Sequence, residues 1–503
     1  MFGRKGEIAA LIILQFALGS VYLSRIPRIF VDEVWDSALG YNLAHEGRLR
    51  HPFIEGFGGM QVHFVQNRIV LPLVCAAVFK VADYSIAASR FGSLVFAVLA
   101  IVSLYAVMRR LFGNKQAFWI GLATVIHPWF FEISRRARPE AYYIALGLVL
   151  LWLTVLFIDS GSGLSALLAG AVAGLSSLTH PNGLILVLSI GCPALLWLRP
   201  KPIARLAVWA GAGFATVILP YIIYVSWATR NPQVSFVQQM QTSLVHSFLL
   251  KGEIIRWKSF LQWPKGLPLA VIMALSWFAA WYRSSAAEKT LAGIIGLFVV
   301  ILPLATVNRT PRYLATITPF FSALIIRLAW RIMTGELNFW RRRPKLRAGL
   351  AAGTVAVYLA TCIPAVSLML CCLRKADFNR VIDRVAAKVG PGSRVYGDPI
   401  FWVGHDKYRY GPYLITYEGI GLTGAIEKLR KHRFDYAIRT AWLISPPKGI
   451  GKPPPSMPDF RKGCLCDHLC QILGTKTDEF YDPYYGPIEI YRLDWDRHLW
   501  LKM

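Results

Sequence analysis

What this chain has little of is charge, and above all negative charge. Only 17% of its 503 residues are Asp, Glu, Lys or Arg, against 55% that are hydrophobic. That balance excludes an ordinary soluble globular protein and fits a polytopic membrane protein. Acids are scarcer than bases, 28 against 55, which leaves a formal net charge of +27. Such a surplus could suggest a nucleic-acid partner, but the bases form no patch interleaved with stacking aromatics. They fall in short clusters between apolar segments, as the positive-inside rule predicts. No nucleic acid is expected. Also missing are an internal repeat and any low-complexity tract beyond Lys452-Pro453-Pro454-Pro455. No small-residue cleavage site follows Leu23, where Arg25-Ile26-Pro27-Arg28 stands instead. The first apolar segment, Phe2 to Leu23, is therefore expected to stay as an anchor rather than be cleaved as a signal.

Runs of roughly membrane length predict about eleven spanning helices. They cover 8–24, 84–108, 116–132, 141–158, 163–179, 183–198, 205–226, 267–282, 290–307, 313–330 and 348–371. With the N-terminus inside, the inner loops hold Arg109, Arg110 and Lys115, then Arg199, Lys201 and Arg205, then Arg283 and Lys289. The basic run 341–347 falls on the same side. The outer segments differ in kind. The first, 25–83, is long and partly apolar, with interfacial helices expected over 37–46 and 69–81. Another, 227–266, mixes Trp227, Trp257 and Trp263 with Arg230, Lys251, Arg256 and Lys258, which suits a headgroup layer.

After Leu373 the character changes to that of a soluble domain. A helix is expected over 377–389, a strand over 393–397, a helix over 421–430 and a strand over 434–438. This alternation predicts a small α/β domain of about 130 residues on the outer side. The chain thus divides into a membrane domain, 1–373, and a soluble domain, 374–503. Three of the eight cysteines are Cys464, Cys466 and Cys470, with His468 between them. Their spacing is compatible with zinc. In an oxidising compartment a disulfide is the better expectation, with Cys371 or Cys372 as a further partner; no metal is assigned there.

Because acids are scarce, those at the outer ends of apolar segments stand out. Asp32 and Glu33 follow the first span. Arg135, Arg136, Arg138 and Glu140 precede the fourth, followed by Tyr142 and Tyr143. His180 stands in Thr179-His180-Pro181-Asn182-Gly183, and Arg309, Arg312 and Tyr313 open a late span. Taken singly, each has a plain explanation: a helix-dipole acid, a headgroup anchor, a turn residue. Jointly they place carboxylates and cations on one membrane face, where ionisable groups are costly and usually functional. Carboxylates suit a general base or a metal, and arginines suit a phosphate.

These features together resemble the membrane glycosyltransferases of the GT-C fold. They are Asp32-Glu33, the Arg138-Pro139-Glu140 loop, Arg312-Tyr313 before Pro319, and the C-terminal soluble domain. The branch most similar is that of the protein O-mannosyltransferases and the lipid-A aminoarabinose transferases, the glycosyltransferase 39/83-like group. Pro72-Leu73, Tyr84-Ser85 through Ser89-Arg90, and Leu111-Phe112-Gly113 add to the likeness, which covers about residues 8–330. The resemblance implies a mainly α membrane domain with an extracytoplasmic α/β domain in a bacterial inner membrane. It implies a polyprenyl-phosphate-linked sugar as donor, moved with inversion to an acceptor hydroxyl of a lipid, glycan or protein. Asp32 would be the general base, Glu33 its support, and Glu140 an acid that holds acceptor or a divalent cation, with Asp32 sharing the cation if one binds. No cofactor beyond that possible cation is implied. Arg135, Arg138, His180, Arg309, Arg312 and Tyr313 are the candidates for the donor phosphate. The chain departs from many relatives at His180, where they have lysine, and at Gln66-Asn67-Arg68, where they have a proline pair. A transporter or flippase of lipid-linked sugars is the alternative; it needs a polar path on both membrane faces, and no broken-helix repeat pair is visible.

Overall fold

The computed structural model describes residues 4–54, 58–198, 203–241, 250–262, 267–305, 311–337, 343–411, 426–427, 429–440 and 465–496. The chain is mainly helical. Helix α1, Arg4–Ser20, leads to α2, Val31–Glu46, and α3, Val70–Ala82. A bundle follows: α4 (Ile86–Phe112), α5 (Asn114–Ile126), α6 (Pro128–Ile133), α7 (Pro139–Ser160), α8 (Gly163–Thr179), α9 (Pro181–Pro193) and α10 (Ile203–Ala228). After α11 (Phe236–Gln241) and α12 (Leu250–Gln262) come α13 (Leu267–Ala279), α14 (Ala286–Ala305), α15 (Thr318–Thr334) and α16 (Pro344–Leu373). Among the described residues, six segments are long and apolar enough to cross a membrane: Ile86–Phe112, Pro139–Ser160, Ile203–Ala228, Ala286–Leu304, Pro311–Thr334 and Pro344–Val389. The chain is an integral membrane protein. The shorter apolar helices α3, α8, α9 and α13 pack among them.

Two His-Pro pairs each end one helix and start the next, and the first divides what reads in sequence as a single span. A residue before proline is held extended, and here its own side chain caps the new helix. His127 Nδ1 accepts from the Trp129 N–H at 3.3 Å, and His180 Nδ1 from the Asn182 N–H at 3.1 Å. The expected span 116–132 is therefore two helices, α5 and α6. The second break sets a polar turn beside Tyr313.

The soluble part opens with α17, Phe378–Val389, and holds a mixed sheet in the order β2-β1-β3-β5-β4. Its strands are β1 (Arg394–Gly397), β2 (Arg409–Tyr410), β3 (Tyr436–Thr440), β4 (Gly474–Asp482) and β5 (Gly486–Leu493). Strand β1 lies parallel to β2 and β3, whereas β5 is antiparallel to β3 and to β4. The β4–β5 hairpin was not expected from the sequence. A disulfide at the cysteine cluster is not supported. Cys464 lies outside the described residues, while α18, Leu465–Ile472, turns Cys466 and Cys470 into the apolar core with Leu469. The Cys466 thiol meets the Ile438 carbonyl at 3.4 Å, Cys470 is a free thiol, and Cys371 and Cys372 are free and exposed. Burial on one helix face, rather than oxidation, accounts for the spacing.

Helix α2 joins the two parts. Val34, Ala38 and Leu39 share a buried apolar cluster with Phe378, Phe401, Trp402 and Tyr485 of the soluble domain. Its other face lies on α3, where Gly40 allows close approach: a Cβ there would stand 2.5 Å from Cys75 Cβ. At the opposite end of the bundle Arg110 pairs with Asp159. There too the buried Glu288 accepts from Arg327 Nε at 3.1 Å, and Arg327 Nη1 reaches Gln116 at 3.0 Å. Breaking a buried pair by removing one partner costs about 3–5 kcal/mol. Glu288→Ala, which takes from Arg327 its buried carboxylate partner, should lower the melting temperature of the purified protein markedly; an unchanged value would mean that this cluster is solvated and contributes little.

Candidate active site

The site is built where the start of α2 meets the turn between α6 and α7. Glu33 lies in the first turn of α2 and is 2% exposed. Its carboxylate reaches back to the Phe30 N–H at 3.1 Å and forward to the Ala137 N–H at 3.2 Å. It also takes Arg90 of α4 in a bidentate grip, at 2.8 and 3.1 Å, and Arg136 at 3.2 Å. Every lone-pair direction is taken. This carboxylate fixes α2, α4 and the 135–138 turn to one another, and it is a positioning group rather than one free to take a proton.

Arg138 is the second organiser. It precedes Pro139, which starts α7, and it bonds both to Asp32 and to Glu140, the latter at 2.9–3.2 Å. Glu140 is buried, at 1% exposure, whereas the Asp32 side chain keeps 38%. Of Asp32, Glu33 and Glu140, Asp32 is the one whose side chain is substantially exposed. The resemblance allows a divalent cation between Asp32 and Glu140. The Arg138 guanidinium already stands bonded to both, so the two do not form an open cation site, and no group of three or more His, Cys, Asp or Glu side chains converges among the described residues.

Arg312 enters from the 3-10 turn Pro311–Ile317 that leads into α15. It makes one long contact to Glu132, 3.4 Å, and covers the Phe30 ring at 4.8 Å, while Arg138 approaches the same ring at 5.5 Å. Glu132 is held mainly by Arg136, at 2.8 and 3.0 Å, so Arg312 keeps most of its donors unused. Tyr313 follows, buried beside His180 with ring centroids 5.6 Å apart, and Tyr143 lies 6.1 Å from the same imidazole. Burial, with Arg68 and Arg138 nearby, holds the His180 imidazole well below its ordinary pKa. It is a neutral ring that caps α9, not a cation. Arg135 is not brought into the cluster: its guanidinium bonds the Leu18 and Val21 carbonyls at the end of α1 and covers the Phe131 ring. Arg309 lies outside the described residues.

Sequence reasoning missed Asp36 and Arg68. Asp36 stands one turn beyond Asp32 on the α2 stripe that faces α3, and the two share the same helix face. Arg68 is carried there by the strap before α3, which is hooked to the end of α8 through Ile69 N–H to Leu178 O at 3.0 Å. Its Nη2 donates to Asp36 Oδ2 at 2.8 Å. Burial pushes the Asp36 carboxyl up to about 6; Arg68 pulls it back and Asp32 adds to the rise. The signal for Arg68 was its place in Gln66-Asn67-Arg68, noticed only as a departure from a proline pair.

The site has all its charged groups at one end of an apolar bundle, under a soluble domain, with one accessible carboxylate beside an arginine with spare donors. Comparison with known proteins places that arrangement. Residues 67–227, about a third of the chain, match the family model described as dolichyl-phosphate-mannose-protein mannosyltransferase. No curated protein matches the chain by sequence. Among solved structures, ArnT from Cupriavidus metallidurans bound to undecaprenyl phosphate aligns with TM-score 0.63 at 13% identity, over 97% of this chain and 98% of that one. The Archaeoglobus fulgidus oligosaccharyltransferase tethered to an acceptor peptide aligns with TM-score 0.55 at 12% identity, over 98% of this chain and 75% of that one. A mycobacterial arabinofuranosyltransferase, AftD, aligns with TM-score 0.53 at 14% identity, over 99% of this chain and 42% of that one. The fold is shared from end to end with ArnT, and the family model falls on the segment that carries Arg68, Arg138 and Glu140.

Proposed function

We propose that the protein transfers a sugar from a polyprenyl-phosphate donor to an acceptor hydroxyl at the outer membrane face, with inversion and with Asp32 as general base. The observation that carries this reading is the contrast among the acids. Glu33, Glu132 and Glu140 are buried and held by arginines, whereas Asp32 keeps an open oxygen beside cations. Phosphate on a lipid is already a fair leaving group, so the reaction needs a proton acceptor and cations to hold the departing charge. Arg312 suits the second task, because it has one carboxylate contact and donors to spare; Arg309 joins it on sequence grounds alone. The family model and the likeness to a protein crystallised with undecaprenyl phosphate favour a donor of that class. The basic clusters at the opposite end support an inner face there, about eleven spans, and a site exposed to the outer side of a bacterial inner membrane.

Orientation is testable first. Single cysteines placed at the exposed Asp83 and at Ser393, in a background without the native exposed thiols, should react with an impermeant reagent in intact cells; reaction only after permeabilisation would invert the topology and remove the site from the outer face. For the chemistry, Asp32→Asn keeps size and most hydrogen bonding. General-base catalysis contributes about 10²- to 10⁴-fold, so turnover should fall by that order while undecaprenyl phosphate still binds. Near-normal transfer by this variant would rule out Asp32 as the base. Arg312→Ala should instead weaken undecaprenyl phosphate binding, and Arg312→Lys should rescue only part, since the guanidinium fork grips two oxygens and an ammonium does not. Undiminished binding by Arg312→Ala would make this residue a positioning group for Phe30 and Glu132.

A further inference from the structure

Beside the open oxygen of Asp32 lies a second polar feature that the transfer chemistry leaves unused. Asp36 is 1% exposed and gives only Oδ2 to Arg68. Its Oδ1 has no partner in the protein, and neither do Arg68 Nε and Asn67 Oδ1, all of them buried. A buried polar atom without a hydrogen bond is costly, and native structures retain few of them. Here two belong to a bonded pair, Asp36 and Arg68, and the third to Asn67, the residue before Arg68, whose Nδ2 bonds the Ser177 carbonyl; unmet demand gathered in this way suits a ligand.

The chemistry of these atoms says what kind. Two are acceptors and one is a donor. A phosphate carries acceptor oxygens, so it could satisfy Arg68 Nε but would leave both acceptors bare and would be repelled by Asp36. A hydroxyl both donates and accepts, and neighbouring ring hydroxyls could satisfy all three. The position says which hydroxyls. Asp32, Asp36 and Gly40 occupy one stripe of α2 that faces α3, and Gly40 lies against Cys75 and Pro72. The opposite face of α2 is covered by the soluble domain. A group that reaches Asp36 therefore comes from the side of the membrane helices, where the lipid-linked donor resides.

We infer that Asp36, oriented by Arg68, is the specificity element for the donor sugar, binding ring hydroxyls through Oδ1 with Asn67 beside it. This rests on the reading of the chain as a polyprenyl-phosphate-sugar transferase. Asp36 is a positioning residue: it takes no proton from the acceptor and touches no bond that is made or broken.

The test compares lipids with and without sugar. Full-length protein in nanodiscs is titrated with undecaprenyl phosphate and with undecaprenyl phosphate bearing mannose, glucose or arabinofuranose, without acceptor. Wild-type protein should bind one of the sugar-bearing lipids more tightly than the bare lipid. Asp36→Asn still accepts from Arg68 but presents an amide donor where an acceptor stood. It should weaken the preferred sugar-bearing lipid by about 10- to 100-fold, the worth of a charge-assisted hydrogen bond, and leave bare undecaprenyl phosphate unchanged. That unchanged binding also reports an intact fold. Should Asp36→Asn not fold, Asp36→Glu, which keeps the charge and the Arg68 pair but advances the carboxylate by one methylene, should show the same selective loss. Equal losses for both lipids would overturn the inference and make Asp36 a holder of Arg68 only. No loss for either lipid, with a raised KM for acceptor, would assign the hydroxyls to the acceptor and equally overturn it. Wild-type protein that prefers no sugar-bearing lipid would remove the donor reading itself, and the subsite with it.

Discussion

The structure depends on one buried carboxylate. Glu33 is held by two arginines and two backbone N–H groups from three different parts of the chain. An ionised carboxylate at this depth is tolerable only when its lone pairs are filled by charged and neutral donors together. Meeting that demand draws Arg90 from the start of α4 and Arg136 from the α6–α7 turn to the first turn of α2. Arg138, two residues on, is thereby delivered to Asp32, and Asp32 is placed at the mouth rather than in the interior. The neighbouring acids in sequence thus have opposite fates because successive helical residues point about 100° apart. One faces the packed bundle and the other faces the opening.

Around this centre the paired ions of the described residues are balanced. Asp32, Glu33, Asp36, Glu132 and Glu140 are matched by Arg68, Arg90, Arg136, Arg138 and Arg312. Balance of this kind limits the penalty of charge in an apolar surrounding without leaving any one sign in excess. It also explains why the contacts are unequal. The pairs at the centre are short and multiple, whereas Arg312 and Arg68 at the margin each reach a single carboxylate. The margin is where an exchange of partners disturbs least.

Much of this was readable because acids are rare in the chain. Asp32, Glu33 and Glu140 stand at the ends of apolar runs, and Arg138 and Arg312 stand beside them, so scarcity and position singled them out. Asp36 was not singled out, since one more acid inside a half-polar helix looks like a solvated face; only the packing of α3 against Gly40 turns that face inward. Arg68 needed the tie between the strap and α8, a contact about 110 residues away in sequence that no local pattern encodes. The β4–β5 hairpin escaped because Lys476, Asp478, Glu479, Glu489 and Arg492 interrupt its apolar alternation. Cys466 and Cys470 misled for the opposite reason: their spacing of four is a ligand or disulfide pattern and equally one face of a short helix.

Charge balance also bears on how the proposed transfer could run in so closed a site. A donor phosphodiester enters with one negative charge, and the departing polyprenyl phosphate carries one more once the sugar–oxygen bond to phosphate has broken. In the proposed step the acceptor hydroxyl would form its new bond to the sugar and give its proton to Asp32, which would lose a negative charge. The extra charge on phosphate and the charge removed from Asp32 cancel, so the net charge within the ring of arginines is the same before and after. What moves is its location, from the carboxylate that Arg138 holds toward the phosphate that Arg312 would hold. A preorganised set of guanidiniums can accompany such a shift with little reorganisation, which is the condition under which fixed cations lower a barrier. Glu33 and Glu140, already saturated, keep Arg136 and Arg138 in place as the charge on Asp32 is lost.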